Sequence, residues 1–211
     1  MGSKIQQCIN TDEYDNIKSV VNDYLKEGIA HTLDETRNLS DSGQFEDISL
    51  QQGIRQILYP YEEMEVLNPE WEVILKDIID SLFEQMSDEE YNILNEEFGT
   101  YMVSRAYEYR QLLEYLVFRY FAKSIYDYDF LGKCQMLVTN FFVIRQMDII
   151  RWLDNHREYS FKDRMDVVHI FSRQVEYSED NIENLYEDFI FDDIFKTDSL
   201  IAILWIDSEN I

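Results

Sequence analysis

A chain of 211 residues, 45% hydrophobic and 15% aromatic, is long and apolar enough to bury a core, which excludes a protein that is disordered throughout. With 43 acidic and 18 basic residues the formal net charge is -25, so direct binding to a nucleic-acid backbone is not expected. The same charge favours cationic partners, such as lysine-rich protein segments.

The net charge is distributed unevenly along the chain. Residues 1–100 carry 6 basic and 23 acidic side chains, and residues 178–211 carry 1 and 10. Residues 101–177, between them, carry 11 basic and 10 acidic side chains and are nearly neutral. Two interpretations stay open at this point. The acidic surface keeps an aromatic-rich protein soluble, or the acidic flanks attract a cationic substrate to the central part.

Four helices are predicted in the first hundred residues. Thr11 precedes the first, whose apolar residues recur at helical spacing. The second runs from Leu50 to Tyr59 and should end at Pro60, which has no backbone N–H to donate. The third follows Asn68 as its N-cap, and the fourth follows Ser87, where a glutamate three residues later completes a capping-box pattern.

Residues 107–177 predict three long helices at the centre of the fold. The first carries an apolar stripe at three- and four-residue spacing, which is typical of one buried face. The second is apolar almost all round between residues 136 and 153, which indicates burial on most sides. The third begins at Ser160 as its N-cap. Two shorter helices are predicted after it, from Ser178 and from Thr197.

The fold class follows from this series of helices. No stretch of the chain alternates steadily between apolar and polar residues, and the two prolines and six glycines leave few turns for a sheet. We therefore expect an all-α fold, an irregular multi-helix bundle of about nine or ten helices. Residues 1–211 are predicted to form a single helical domain, in which the polar residues 30–48 form an acidic flexible linker or loop.

The cysteines and the targeting signals indicate the cellular compartment in which the protein is expected. Cys8 and Cys134 are the two cysteines, and their spacing fits neither a disulfide framework nor a metal site, so reduced thiols in a cytoplasmic protein are expected. The sequence has no signal-peptide core, so export is not predicted. It also has no apolar run of about eighteen residues, so no transmembrane helix is predicted. No catalytic motif is present and His169 is expected to be structural, so no catalytic residue, metal ligand or cofactor is named for this chain.

Charged residues that interrupt the apolar central helices are the best candidates for a site. Arg145 and Asp148 lie three residues apart in the second central helix, and Arg173 and Glu176 repeat that spacing in the third. Because an unpaired buried charge is costly, each pair is expected either to form a structural ion pair or to line a polar pocket. Tyr177 follows the second pair directly and is included with the candidates.

Three segments resemble the C-terminal half of flagellin lysine-N-methylases. They are EYLVF at residues 114–118, VIRQMDIIR at 143–151 and FSRQVE at 171–176. For the full-length family the resemblance implies S-adenosylmethionine as a cofactor and an iron–sulfur cluster held by an N-terminal cysteine cluster. That cysteine cluster has no counterpart here, because two cysteines cannot supply three or four thiolates. Tyr177 also stands where the family often has a histidine.

Three functions remain as hypotheses. The resemblance implies the helical C-terminal domain of a bacterial, cytoplasmic flagellin lysine-N-methylase-like protein, which supports or positions a lysine-bearing protein substrate and is inactive alone. The acidic composition by itself fits a non-enzymatic protein-binding module, such as an adaptor, an immunity-type protein or a charge mimic. A self-contained enzyme with a pocket around Arg145 and Asp148 is the third, and whether the chain is an enzyme stays open. The expected partner is a basic or lysine-rich protein, flagellin if the resemblance holds, and neither nucleic acid nor a membrane.

Overall fold

Helices make up the architecture of the described part of the chain. The computed structural model describes residues 1–40 and 48–209, and this part is all-α without strands, which confirms the predicted fold class. The α-helices are, in chain order, α1 (Gly2–Asn10), α2 (Tyr14–Ser40), α3 (Leu50–Glu62), α4 (Pro69–Ile78), α5 (Asp88–Met102), α6 (Ala106–Phe121), α7 (Ser124–Asp127), α8 (Phe130–Asp154), α9 (Phe161–Phe171), α10 (Glu179–Phe191) and α11 (Thr197–Glu209). Two π-helical segments extend α4 and α9, at Ile79–Glu84 and Ser172–Glu176, and 3₁₀ turns lie at Val103–Arg105 and Asp193–Phe195.

Helix α8 is the central element, as its apolar sequence predicts. Every residue from Phe142 to Ile150 is buried, because α1, α3, α4, α6, α9, α10 and α11 all contact this helix. Each large apolar side chain buried in this way contributes about 1.5–3 kcal/mol of transfer free energy. Long and apolar as α8 is, no helix in residues 1–40 or 48–209 is apolar enough over its length to cross a membrane.

The helix starts that the sequence predicts are confirmed at four places. The side chains of Asn68, Ser87, Ser160 and Ser178 each accept a hydrogen bond from a backbone N–H in the first turn of the helix that follows. Ser87 with Glu90, and Ser160 with Asp163, form complete capping boxes. Each cap satisfies donors that a helix start leaves without an intrahelical partner.

The predicted end of the second helix, at Tyr59, is wrong by three residues. Helix α3 continues through Pro60 to Glu62, although proline has no N–H for the helical hydrogen bond. Pro60 is buried, as is Tyr61 beside it. The apolar contacts of these two residues with the core offset one hydrogen bond lost in the last turn.

The polar stretch at residues 30–48 coincides only in part with described structure. Helix α2 is kinked at Gly28, whose φ of 81° is not helical, and then continues to Ser40, so residues 30–40 are helical, whereas residues 41–47 lie outside the described part. Residues 30–40 contain helix-forming Ala, Leu, Glu and Arg and neither Gly nor Pro, which accounts for the extension. The linker or loop stays a prediction for the remainder.

The core position of α8 leads to a stability prediction. Replacing Ile149, which is fully buried, by alanine should lower the free energy of unfolding by about 2–5 kcal/mol, because it removes apolar contacts and leaves a cavity. Ile93→Ala on α5, where the side chain is 51% exposed, serves as the matched control and should change the free energy by less than about 0.5 kcal/mol. Urea unfolding followed by circular dichroism measures both, and equal losses would contradict the central position of α8.

Candidate functional site

Asp148 is a fully buried carboxylate in the middle of α8. It accepts hydrogen bonds from the hydroxyl of Tyr109 on α6 at 2.7 Å, from the hydroxyl of Tyr159 before α9, and from the guanidinium of Arg164 on α9. Burial raises the pKa of the Asp148 carboxyl, while Arg164 and the two hydroxyls oppose that rise by stabilising the charged form. One side chain of α8 therefore holds α6, α9 and the connection between α8 and α9.

Arg164 extends the network to a second buried carboxylate. Its Nε lies 3.5 Å from Oε2 of Glu108, which in turn accepts hydrogen bonds of 2.8 and 2.9 Å from Arg105. The guanidinium also lies over the ring of Tyr109, 4.2 Å from its centroid. Burial lowers the pKa of Arg164, but the neighbouring Asp148 carboxylate raises it by more. The pKa of Arg164 therefore lies above the ordinary value for arginine. Two carboxylates and two guanidinium groups balance one another, which is how a buried charged network is tolerated.

The structure replaces the predicted pairing of Arg145 with Asp148. Arg145 donates from Nη2 to Oδ1 of Asn95 at 3.0 Å, and its Nε lies 3.7 Å from Oδ1 of Asp207. Asp148 pairs with Arg164 instead. The two residues lie close in sequence, but α5 and α11 approach α8 at Arg145 while α6 and α9 approach it at Asp148. Both partners are long-range contacts that the spacing within α8 does not reveal.

A cavity of about 890 Å³ adjoins this network between the end of α5, α6 and α8. We call it the apolar groove, since its lining is mostly apolar: Gly99, Met102, Val103, Ala106, Leu113, Val117, Phe118 and Phe141. Arg145 and Tyr109 also line it, with Arg110 and Glu114. A cleft is thus present beside the predicted Arg145–Asp148 position, but Asp148 itself is sealed behind Tyr109. The lining suits an apolar ligand better than acid–base chemistry.

Glu176 is the second buried carboxylate among the predicted residues. It accepts hydrogen bonds from Tyr115 at 2.8 Å, Tyr120 at 3.2 Å and Ser172 at 2.7 Å, and Arg119 lies 3.9 Å away. Burial, and then Glu176 itself, raise the pKa of Tyr115 to about 12. These contacts join the π-helical segment after α9 to α6.

Arg173 and Glu176 point to opposite sides of that π-helical segment, so the predicted pair is not formed. Glu176 turns into the core, whereas Arg173 is exposed and lines a different cavity, on the far side of α9. Tyr177 is 78% exposed and lines a smaller cavity of about 390 Å³ next to Glu176. A π-helical turn widens the helix and shifts side-chain directions, and such turns are frequent at functional sites.

The cavity that Arg173 lines combines charged, polar and apolar side chains. We call this space of about 640 Å³ the polar trough. Three helices supply its lining: Asn68, Glu70, Val73, Ile74 and Asp77 come from α4 and its N-cap; Met147, Ile150, Arg151 and Asp154 come from α8; Asp166, His169, Ile170 and Arg173 come from α9 and its extension. Each helix contributes one stripe at three- and four-residue spacing, which is one face of a helix.

Hydrogen bonds fix the direction of the trough. Asn155 donates to Asp163 at 3.0 Å, so the C-terminal end of α8 meets the N-terminal end of α9. At the other end of α9, the side chain of Gln174 accepts a hydrogen bond of 3.2 Å from the backbone N–H of Asn68. Helices α8 and α9 therefore run antiparallel, and α4 starts beside the C-terminal end of α9 and runs back along it.

This arrangement gives the trough two unlike ends. Asp77, Asp154 and Asp166, one from each helix, line one end of the trough, which we call the acidic end, and no ion pair among the described residues includes them. Arg151 and His169 line the trough one turn further in. Asn68 and Arg173 lie at the other end, which we call the donor end, with Glu70 beside them. Seven residues separate Asp166 from Arg173 on α9, which places the ends about 10 Å apart at 1.5 Å per residue. Val73, Ile74, Ile150 and Ile170 supply apolar surface between the ends.

Asn68 has an unpaired donor at the donor end. The side chain is 4% exposed and its Oδ1 caps α4 by accepting from the N–H of Glu70 at 3.2 Å. Its Nδ2 is buried and has no hydrogen-bond partner among the described residues. Because the oxygen is committed to the cap, turning the amide over would lose that cap. A buried donor without a partner destabilises a protein by about 1–3 kcal/mol unless a ligand or water accepts from it.

The sequence contains a signal for the trough that the search for motifs missed. In each of α4, α8 and α9, residues at i, i+3, i+4 and i+7 end in a charged side chain and include at least one isoleucine: Glu70 to Asp77, Met147 to Asp154 and Asp166 to Arg173. A single such stripe is ordinary on a solvent-exposed helix. The coincidence of three stripes in one cavity appears only when the helices are packed together.

The two thiols are poorly placed to bind a metal. Cys8 is buried in α1 and Cys134 is half-buried near the start of α8. Burial raises the pKa of Cys134 to about 11, so the thiol stays protonated near neutral pH, whereas a metal binds the thiolate. Across residues 1–40 and 48–209, no group of three or more His, Cys, Asp or Glu side chains is arranged to hold a metal ion.

Comparisons with known proteins give one match. A family model described as the FliB lysine N-methylase C-terminal domain matches residues 1–203. No curated protein and no solved structure matches the chain. The matched range contains the buried networks around Asp148 and Glu176 as well as every residue that lines the trough.

The buried network leads to a prediction about Arg164. Arg164→Met should lower the free energy of unfolding by about 3–5 kcal/mol, because it leaves the Asp148 carboxylate buried without its cation. Arg110→Met removes the cation of an exposed pair with Glu114 and should change the free energy by less than about 1 kcal/mol. Chemical denaturation of both variants gives the comparison. A loss at Arg164 no larger than that at Arg110 would show that Asp148 does not depend on this partner.

The raised pKa of Cys134 can be measured by alkylation. In a Cys8→Ser background, the rate of reaction with iodoacetamide should keep rising from about pH 8 to beyond pH 10, since only the thiolate reacts. The same protein unfolded in urea is the control, and its rate should level off near the ordinary thiol pKa of about 8.5. A native rate that levels off at the same pH as the unfolded one would contradict the burial of this thiol.

Proposed function

The chain belongs to the family of the FliB lysine N-methylase C-terminal domain, and we propose that its polar trough binds a lysine-bearing segment of a protein substrate and positions it for methylation. This membership confirms the resemblance found in the sequence. The observation that carries the proposal is the acidic end of the trough, to which each of three helices contributes one aspartate, in a domain of a lysine methylase family. Flagellin is the substrate that the resemblance implies.

A lysine side chain is complementary to the trough in both of its parts. Its ammonium has three donors and no acceptor, and Asp77, Asp154 and Asp166 offer carboxylate acceptors without ion-pair partners among the described residues. Its four-carbon stem can lie along the apolar surface of Ile74, Ile150 and its neighbours. A neutral side chain of the same length would gain only the apolar part of this contact.

The charge of the whole protein supports capture of a basic segment. A net charge of -25 creates a negative potential that raises the rate of association with a cationic partner. Such steering is screened by salt beyond about 8–10 Å at physiological ionic strength, so binding should weaken as salt increases. The proposal places the protein in the cytoplasm, an environment compatible with its free cysteines.

The proposal assigns substrate positioning, and not the methyl transfer itself, to these residues. The family implies S-adenosylmethionine as methyl donor and an iron–sulfur cluster, which needs three or four thiolates. Cys8 and Cys134 do not fit such a cluster, because they are only two and Cys134 is held in its protonated form. No step is therefore assigned to the cluster in this chain, and methylation depends on a catalytic region that supplies it.

A protein-binding module without any role in methylation is the second candidate, and the net charge favours it. A charge-driven module would bind lysine- and arginine-rich segments alike, and every surface carboxylate would contribute a similar amount. The trough would instead select a single lysine side chain, because its carboxylates lie at one end and its apolar part has the length of one side chain. The two candidate functions therefore differ in which carboxylates contribute to binding a basic segment.

Peptide binding tests the proposed function. A capped peptide with one lysine should bind roughly tenfold more tightly than the same peptide with norleucine, because charged hydrogen bonds contribute about 1.5–3 kcal/mol. A variant with Asp77→Asn, Asp154→Asn and Asp166→Asn should lose that preference. Fluorescence anisotropy at low and at physiological salt measures each affinity.

The matched control removes three exposed carboxylates from α10, through Glu179→Gln, Glu183→Gln and Glu187→Gln. This variant changes the net charge by the same amount and should keep the preference for lysine. An equal loss in both variants would favour the charge-driven module. Equal binding of the lysine and norleucine peptides by the unmodified protein would overturn the proposed function.

A further inference from the structure

We propose that the apolar groove beside α6 is the interface between two copies of this chain, which associate as a symmetric dimer with their α6 helices antiparallel. The proposal does not depend on the polar trough. The end of α5, the turn after it, α6 and α8 line the groove, and none of the residues that line the trough is among them. The dimer therefore leaves the lining of each trough outside the interface.

One side of α6 presents apolar surface to the groove. The residues that line it recur at three- and four-residue spacing from Val103 through Ala106 and Leu113 to Val117, which is one face of a helix. Several of these side chains are exposed: Phe118 to 81%, Val103 to 62% and Val117 to 44%. Exposed apolar surface that is gathered in one concave place marks an interaction site on a protein.

The charges on this helix are balanced, which identifies the occupant of the groove. Residues 103–121 carry three basic and two acidic side chains, and each of these has an ion-pair partner. The pairs are Arg105 with Glu108, Arg110 with Glu114, and Arg119 with Glu176. Because the net charge of the protein is -25, two copies repel each other as wholes, and a balanced surface is where they can make close contact. A cationic segment gains no charge attraction at this surface, whereas the same surface of a second copy meets no repulsion there.

The two ends of the groove are complementary in size. Phe118 lies at one end, whereas the other end is lined by the smaller side chains of Gly99, Val103 and Ala106 and by buried Met102. Phe118 and Ala106 are about 18 Å apart along α6, at 1.5 Å per residue. When two α6 helices lie antiparallel, Phe118 of each copy can pack beside Ala106 of the other. A two-fold axis repeats this contact, so a single fit is used twice.

The charged residues at the groove require the same register. Arg110 and Glu114 both line the groove, and their side chains are 80% and 63% exposed. If Phe118 of each copy packs beside Ala106 of the other, the two-fold axis passes α6 at the level of Leu112. Arg110 and Glu114 are centred on that same residue, so Arg110 of each copy faces Glu114 of the other. The apolar and the charged residues thus agree on one self-complementary arrangement, as a two-fold interface requires.

Sedimentation equilibrium of the full chain tests the dimer. The mass should rise from 25.5 kDa to twice that value as the protein concentration increases. Association should strengthen as salt screens the repulsion between acidic copies. Phe118→Ser should weaken the dimer roughly hundredfold, because each dimer loses two buried phenylalanine side chains. Phe191→Ser on α10 is the matched control: its side chain is 78% exposed and does not line the groove, so association should not change.

A charge exchange tests the register. Arg110→Glu and Glu114→Arg each place like charges opposite one another in the dimer, so each variant alone should associate about tenfold more weakly than the unmodified protein. A mixture of the two variants restores opposite charges at both contacts. Heterodimers should therefore form with nearly the affinity of the unmodified protein. Labelling one variant with a fluorophore and following its sedimentation velocity, with and without the other variant, measures this.

Three results would overturn the proposal: a mass of 25.5 kDa at every concentration, equal effects of Phe118→Ser and Phe191→Ser, or no gain in association when the two charge variants are mixed. The preference of the trough for lysine over norleucine is measured on the same Phe118→Ser protein and should be unchanged. Failure of the dimer is thus distinguished from failure of the proposed function.

Discussion

The structure depends on satisfying the polar side chains that α8 carries into the core. Five of them have a partner on a different element: Gln135 donates to the backbone oxygen of Phe195, Asn140 donates to Tyr120, Arg145 donates to Asn95, Gln146 accepts from Tyr91, and Asp148 accepts from Arg164. A buried polar group without its partner costs about 1–3 kcal/mol, and a whole domain is stable by only about 5–15 kcal/mol. A surrounding helix that slipped by one turn would break several of these contacts, so they fix the register of the bundle as well as its composition.

The polar trough follows from that register. Asp148 binds α9 through Arg164, and Gln174 binds the start of α4, so the three helices that line the trough have fixed relative positions before any ligand arrives. The π-helical segment after α9 then sends Glu176 into the core and Arg173 into the trough. Binding energy is not used to assemble such a site, and preorganisation of this kind favours affinity and selectivity. The buried charges are thus structural, and the groups available to a substrate lie one helix face away from them.

The sequence was sufficient for the fold class and for the position of α8, because apolar residues on all sides of one helix leave it no place except the core. It was also sufficient for the helix starts at Asn68, Ser87, Ser160 and Ser178, since a cap is encoded within four residues. The partners of Arg145 and Asp148 could not be found in this way. Asn95 lies 50 residues from Arg145, and the contact depends on how α5 packs against α8. The trough was missed for the same reason, because its acidic end combines single residues from three helices that are distant in sequence.

The central claim is that the acidic end of the trough receives a lysine ammonium, and the most direct measurement is a crystal structure of the protein bound to a lysine-bearing peptide. The account predicts the ammonium within hydrogen-bond distance of at least two of the carboxylates of Asp77, Asp154 and Asp166, with the lysine stem against Ile74 and Ile150. A peptide bound in the apolar groove beside α6, with the carboxylates of the trough unoccupied, would contradict it.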